Sequence, residues 1–235
     1  TQITEKSSID VFGRFNDVSY DDDEEDRFRD YTDLRGEVQY RYAISPVTDL
    51  ITGVFGRNFS PSSRPDVTGY GAEAGFEHEF SETTRLRALA GIEHSEPDEG
   101  SSSDDWIADI SVVRRLQTTW LRAGYRRTVS AQGDGDLSLR DQIHLGFTRR
   151  LTELLEAGIG MQAYTADGVQ GDANDRDYVQ IRTEFIWNLT RQLNIVGDYR
   201  YTILDREEEN ESANANQLFL YLQWGLGDRE VGRLR

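Results

Sequence analysis

The chain has 235 residues and a formal net charge of −17, and its mean hydropathy is −0.66. It contains no cysteine, which excludes disulfides, thiolate metal sites and thiol nucleophiles, and its acidic balance disfavours nucleic acid because a phosphate-binding surface must be basic. No stretch approaches the roughly 20 apolar residues that a membrane helix requires, whereas a barrel strand needs only about 10 residues with every second one apolar.

Apolar and charged residues alternate along most of the chain, as in the run from Leu34 to Tyr42. Side chains of a strand point to opposite faces in turn, so this period of two predicts strands. Twelve are predicted, near residues 8–18, 31–44, 50–59, 69–80, 85–94, 105–115, 119–129, 139–149, 154–165, 177–189, 193–203 and 215–225.

The connections between these strands alternate strictly in length. Short turns are predicted at 45–49, 81–84, 116–118, 150–153 and 190–192, and long loops near 19–30, 60–68, 95–104, 130–138, 166–176 and 204–214. In bacterial outer-membrane barrels the short turns face the periplasm and the long loops face outward. The pattern predicts a single closed antiparallel transmembrane β-barrel of about twelve strands, with long acidic extracellular loops and both termini in the periplasm.

Three segments are expected along the chain: a periplasmic N-terminal segment at 1–7, the barrel at 8–225 and a C-terminal tail at 226–235. The first residues lack the apolar core of an export signal, so we expect a mature form from which the signal has been removed. The tail, with Arg229, Arg233 and Arg235, is either a periplasmic extension able to contact a partner or not native.

One parity of the strands is apolar and carries aromatic residues near both of its ends, which is typical of a membrane interface. The orientation of residues 8–18 and 50–59 stays open, and both faces of 50–59 carry apolar residues. His78 and Arg127 fall on the outward face, where they are tolerable only near lipid headgroups. The predicted membrane-interface aromatics are Tyr42, Phe80, Phe147, Trp187 and Trp224 beside the short turns or C-terminus, and Tyr70, Trp106 and Tyr201 near the opposite rim.

The other parity is charged, with the two signs nearly balanced. One interpretation is an ion-pair network that closes the lumen; the other is a narrow pore across which opposite charges face each other. A preponderance of arginine favours anionic or sugar-like solutes, because a guanidinium is a planar fork suited to carboxylates. The predicted pore-lining residues are Arg35, Glu37, Arg41, Glu73, Glu77, Arg85, Arg87, Asp109, Arg115, Arg122, Arg126, Arg182, Glu184, Asp198 and Arg200.

Neither an enzyme nor a metal or cofactor site is expected. A barrel phospholipase requires a serine and a histidine on one face, but His94 and Ser95 are adjacent and point to opposite faces. The acidic runs at 21–26 and 207–209 match no calcium loop, and we interpret them as a solvated rim in preference to a site for divalent cations that bridge to lipopolysaccharide.

Three strand–turn units carry a family resemblance: Tyr40 to Leu50, Phe76 to Leu86, and Leu121 to Arg127. They resemble the outer-membrane β-barrel porin families, which include barrels found with exopolysaccharide and exosortase loci. The resemblance spans most of the chain, rests on hairpin texture, implies an outer-membrane barrel with a possible tie to polysaccharide export, and transfers no functional residue.

The expected function is therefore a narrow outer-membrane channel in a Gram-negative-type envelope, for diffusion or export of small polar, anionic or saccharide solutes. The alternative is a plugged structural barrel that anchors or joins a larger envelope complex. Expected partners are outer-membrane lipid, lipopolysaccharide and other envelope proteins.

Overall fold

The computed structural model describes residues 1–20, 29–62, 64–131, 137–168, 176–190, 192–206 and 211–225. All regular structure in these ranges is β, and they form one antiparallel sheet whose spatial order follows the chain from β1 to β13. Within the same ranges we find no helix of the length and apolarity that crossing a membrane requires.

The strands are long, and all but the first have twelve to fifteen residues. Their bounds are β1 Gln2–Thr4, β2 Ser7–Val18, β3 Tyr31–Ser45, β4 Thr48–Pro61, β5 Val67–Ser81, β6 Thr84–Pro97, β7 Ser103–Arg115, β8 Thr119–Ala131, β9 Leu137–Arg150, β10 Leu155–Gly168, β11 Arg176–Asn188, β12 Leu193–Arg206 and β13 Glu211–Trp224.

The predicted count of twelve strands is corrected to thirteen. Each predicted strand overlaps one of β2 to β13, and the additional strand is β1, which folds back on the start of β2 and pairs Gln2 with Ser8. The Thr4 and Ser7 hydroxyls lie 2.7 Å apart across this turn. Three residues are too few to show a period of two, so the alternation could not reveal β1. The division into segments 1–7, 8–225 and 226–235 stays a prediction, and the tail lies outside the described residues.

Alternation along the strands separates an inner face from an outer face. We define the inner face by the buried side chains of Phe55 and Leu89, and the outer face by exposed apolar side chains such as Val38 and Ile110. The register places the charged partners Glu37 and Arg35 beside inner residues of β4.

The orientation of the two ambiguous strands is resolved by this register. In β4, Ile51, Phe55 and Phe59 face inward, whereas Leu50 and Val54 face outward. In β2, Val11 pairs with the outward Val38. Both faces of β4 are apolar because its inner face takes part in a core.

That core lies between strands that are not neighbours in the sheet. Pairing of β8 with β7 stops at Arg127, but pairing of β8 with β9 continues as far as Ala131 and Leu137. This projecting part, which we call the β8–β9 end (residues 128–131 and 137–139), packs on the inner face of β4 and β5. The core side chains are Phe59, Val67, Val129, Leu137 and Leu139, with Tyr31 and Ala131 beside them.

The prediction of a closed sheet is not met by the described residues, where no pairing joins β2 to β13. Both strands are therefore sheet edges, β2 beyond the residues that β1 covers, and side chains are exposed on both of their faces. Phe12 is 54% exposed and Phe219 47% exposed on the inner face, and Leu218 is 77% exposed on the outer face.

Long and short connections alternate as the sequence predicts. The shortest turns are Pro46-Val47 and Glu82-Thr83, all short turns lie at one rim, and the long connections lie at the other. Gly100, with a φ of 119°, supplies a left-handed residue to the connection between β6 and β7. The acidic runs at 21–26 and 207–209 lie outside the described residues.

Candidate functional site

The inner face brings together the charged residues of eleven strands. Residues that are paired directly across two neighbouring strands lie on the same face of the sheet, for example Glu73 with Gly91 and Asp109 with Arg126. By this parity, the inner face holds all of the residues predicted to line a pore: Arg35, Glu37, Arg41, Glu73, Glu77, Arg85, Arg87, Asp109, Arg115, Arg122, Arg126, Arg182, Glu184, Asp198 and Arg200. Their role in conduction stays a prediction.

A buried ion pair near the long-loop rim is the best-enclosed polar contact of this face. The Arg57 Nε donates to Asp33 Oδ1 at 2.6 Å, and the two side chains are only 4% and 2% exposed. Arg14 donates to the other oxygen of Asp33 at 3.2 Å. A buried charge is tolerated when it is paired and fully hydrogen-bonded, so Asp33 and Arg57 depend on each other.

The same arginine joins the wall to the β8–β9 end. Its Nη1 donates to the carbonyl oxygen of Val129 at 3.2 Å, and its guanidinium lies 5.6 Å from the ring centre of Phe59. Polar and apolar contacts therefore hold the β8–β9 end against the inner face at one place.

Two further networks link arginines to carboxylates. Glu77 lies between Arg41, at 3.6 Å, and Arg85, at 3.4 Å. Farther along the inner face, at β11 and β12, Asp198 is 2% exposed. It accepts hydrogen bonds from Arg182 and, at 2.7 Å, from Arg200. These contacts satisfy acidic and basic groups mutually and restrict how far their side chains can move.

The ion pair between Arg126 and Asp109 is more exposed to solvent. Arg126 donates through Nη2 to Asp109 at 2.6 Å, and 57% of its side chain is exposed. Arg182 also donates to Glu184 at 2.9 Å. Most charges on the inner face are thus paired with a neighbour of opposite sign.

The inner face at the short-turn rim differs because it holds arginines that make no ion pair with a carboxylate of the described residues. Arg115 and Arg122 both lie over the Trp120 ring, at 5.5 and 5.6 Å from its centre. The guanidinium of Arg122 also lies over Gly146, where a Cβ would approach its Nε to 2.8 Å. Stacking on an aromatic ring leaves the N–H groups of a guanidinium able to donate to an anion.

A cavity of about 590 Å³ opens on the inner face between β2 and β8. Its polar lining has six arginines and three carboxylates, with apolar side chains below and the β8–β9 end at one margin. The charged lining residues are Arg14, Arg35, Arg57, Arg87, Arg126, Arg127, Glu37, Glu73 and Asp109. Five of these arginines pair with a carboxylate, three of them with Asp33 or Asp141 beside the lining, whereas Arg87 pairs with none among the described residues. A guanidinium in a concave, partly desolvated space suits an anionic solute.

The outer face carries the aromatic residues at its two ends. Seven are well exposed there and Tyr201 is partly exposed, whereas their contact with a membrane interface stays a prediction. The set is Tyr42, Tyr70, Phe80, Trp106, Phe147, Trp187, Tyr201 and Trp224.

The two polar residues that the sequence places on the outer face find local partners. His78 Nδ1 lies 2.8 Å from the Thr48 hydroxyl, and its ring meets Phe80 edge-on. Arg127 pairs with Asp141 and lies 4.4 Å from the ring centre of Trp106. These contacts compensate for polar groups on an apolar face.

Sequence reasoning missed the residues that bring the β8–β9 end onto the wall. Asp33 and Arg57 were not among the predicted lining residues, and residues 130–138 were interpreted as loop. The signal that could have revealed the core is the apolar character of Val129, Leu137 and Leu139, which continues beyond the level where the neighbouring strand β7 ends.

Within the described ranges no group of three or more histidine, cysteine or acidic residues is arranged to hold a metal ion.

No protein-family model and no curated protein sequence matches the chain. Solved structures do share its fold. The outer membrane channel DcaP of Acinetobacter baumannii superposes on 83% of the chain with a TM-score of 0.60 at 14% identity. The siderophore receptor PirA from Pseudomonas aeruginosa superposes on 97% of it with a TM-score of 0.52 at 9% identity.

The chain spans 63% of the DcaP chain and 42% of the PirA chain, which is less than two thirds of either. At these identities the likeness concerns the fold. The fold is that of an outer-membrane β-barrel wall, an antiparallel meander with alternating short turns and long loops.

Proposed function

We propose that this chain forms the wall of a narrow outer-membrane channel for small anionic solutes. The observation that carries the proposal is the cavity of about 590 Å³ on the inner face, where arginines outnumber carboxylates. Paired charges on the remainder of the inner face keep it polar, and the apolar outer face suits lipid.

The β8–β9 end would set the width of this channel. It is held on the inner face by the Phe59 cluster and by the hydrogen bond from Arg57 to Val129. A solute that passes along the inner face must therefore pass this element. Arg115 and Arg122 lie at the short-turn rim, where they would be the last arginines to contact an anion that passes along the inner face from the long-loop rim.

The orientation follows the rule for bacterial barrels, with short turns and both termini in the periplasm and long loops outward in contact with lipopolysaccharide. Acidic loops at that rim would repel anions at long range, and the arginines inside would compensate at short range.

A plugged barrel with a structural role is the second candidate. Its support is the interlocking of charges, in which Asp33 and Asp198 each accept from two arginines while almost inaccessible to solvent. In that case the β8–β9 end would close the lumen instead of narrowing it, and envelope proteins would be its partners.

Planar-bilayer recording separates the two candidates. We expect purified protein to give discrete current steps and, in a KCl gradient, a reversal potential that reports preference for chloride. Arg35→Gln combined with Arg87→Gln should reduce that preference, because both side chains line the cavity.

The matched control is Arg114→Gln combined with Arg149→Gln, which removes the same charge from the outer face. It should leave conductance and reversal potential unchanged. Absence of current steps from correctly folded protein would reject the channel and favour the plugged barrel.

A further inference from the structure

The outer face has an apolar groove of about 640 Å³ across β7 to β11. Its floor is low at Ala123, which the register places between the larger side chains of Val112 and Leu145. Phe147, Ile159 and Met161 continue the walls. A small side chain between larger ones leaves a depression that an apolar chain can fill.

Two arginines stand at the short-turn end of this groove. Arg114 lines it directly, and Arg149 lies one outward position beyond the wall residue Phe147. Both side chains are exposed, and neither makes a hydrogen bond or ion pair with any residue that the structure describes. Each lies just before a short turn, at the rim where β7 and β9 end.

This pair departs from the rest of the same rim. On the outer face, the strands β3, β5, β11 and β13 carry Tyr42, Phe80, Trp187 and Trp224 near that rim. Arginine occurs at this level only on β7 and β9, on either side of the strand β8 that carries Ala123, within the part of the chain that the structure describes. An apolar groove is suited to the acyl chain of a phospholipid, and unpaired cations beside it are suited to the phosphate.

We infer that the groove binds one anionic glycerophospholipid of the periplasmic leaflet. An acyl chain would fill the depression over Ala123, and the phosphate would accept hydrogen bonds from Arg114 and Arg149. The guanidinium is suited to this role because its fork binds phosphate through two parallel hydrogen bonds. The orientation of the groove rests on the proposed function.

Snorkelling arginines that merely reach the headgroup region would favour anionic lipid whether or not the groove is open. A groove that fixes the acyl chain holds the phosphate at one place, so that two guanidinium groups act together on one headgroup. The inference therefore requires selectivity for an anionic headgroup together with dependence on the groove.

The test is native mass spectrometry of detergent-solubilised protein with equal amounts of phosphatidylglycerol and phosphatidylethanolamine of identical acyl chains. We expect wild-type protein to retain one phosphatidylglycerol in preference. Arg114→Gln with Arg149→Gln should weaken that retention about thirtyfold, since each basic residue near a membrane surface contributes about a factor of five.

The matched control is Arg115→Gln with Arg150→Gln, which changes the two adjacent residues that face inward. It should keep the preference for phosphatidylglycerol. Ala123→Leu, which fills the groove and keeps both arginines, should lower retention of either lipid. Equal retention of the two lipids by wild-type protein, or an equal loss in the inward-facing control, would overturn the inference.

Failure of the lipid site and failure of the channel give different results. Headgroup preference without current steps would reject the channel and keep the lipid site. Current steps without headgroup preference would reject the lipid site and keep the channel.

Discussion

The two ends of the inner face differ in how their charged side chains are enclosed and paired. Near the long loops, Asp33 and Arg57 are enclosed and paired, and the β8–β9 end covers them. Near the short turns, Arg115 and Arg122 both contact the Trp120 ring and pair with no carboxylate among the described residues. The first end therefore fixes structure, whereas the second leaves positive charge exposed on the inner face.

The largest effect should come from breaking the enclosed pair. Asp33→Ala leaves the Arg57 guanidinium buried without its partner, and removing one member of a buried pair costs about 3–5 kcal/mol. Urea unfolding in detergent should show this loss. Asp109→Ala is the control, because its partner Arg126 is 57% exposed and the cost should stay below about 1 kcal/mol. Equal losses in the two variants would contradict the contrast between the ends.

Phe59→Ala should have the next largest effect, because the ring is 1% exposed at the centre of the apolar cluster. Truncating a buried phenylalanine costs about 3 kcal/mol or more. It should also loosen the β8–β9 end and raise single-channel conductance. Val54→Ala, on the outer face of the same strand and 59% exposed, should change neither quantity appreciably. A conductance that stays constant in Phe59→Ala would show that the β8–β9 end does not limit the path.

The double variant Arg115→Gln with Arg122→Gln should change the ion selectivity of the channel and leave the stability of the fold nearly unchanged. Each charge removed from a wet pore changes the energy of a passing ion by about 0.5 kcal/mol at distances near 8 Å, so two change it by about 1 kcal/mol, which is roughly fivefold in permeability. Reversal potentials in a KCl gradient measure this change. The variant should unfold at nearly the wild-type urea concentration, and a large loss of stability would place these arginines in a structural role.

The smallest effect should follow from Arg85→Gln. Its side chain is 57% exposed and its contact with Glu77 spans 3.4 Å. Exposed ion pairs contribute about 0.5 kcal/mol. Urea unfolding at low and high salt should differ little between this variant and wild type, whereas a loss of several kcal/mol would mean that this pair belongs with the enclosed ones.

The strands were predictable because every second residue reports the face on which it lies. Leu34 and Val38, for example, identify the outer face of β3 from the sequence alone. The order of the sheet was predictable from the alternation of short turns and long loops. This alternation is typical of a meander, in which neighbouring strands of the sheet are also neighbours in the chain.

Contacts between distant strands could not be predicted in this way. Nothing local in Phe59 or Val129 indicates that β4 meets the β8–β9 end, and the parity of Val129 suggests the outer face. Which arginine pairs with which carboxylate depends on register and on side-chain reach. Arg114 and Arg149 likewise gain their interest only from the groove between them.

Among the described residues, β13 and the part of β2 that β1 does not cover have no strand partner along their outer edges, which has a consequence for the proposed membrane role. In hydrocarbon, each N–H or C=O group without a partner costs several kcal/mol. A sheet with two free borders therefore cannot cross into lipid first and find partners afterwards. In the proposed outer-membrane role, strand pairing along these borders and entry into the bilayer would therefore proceed together, and a further β-strand could add to either border while this happens.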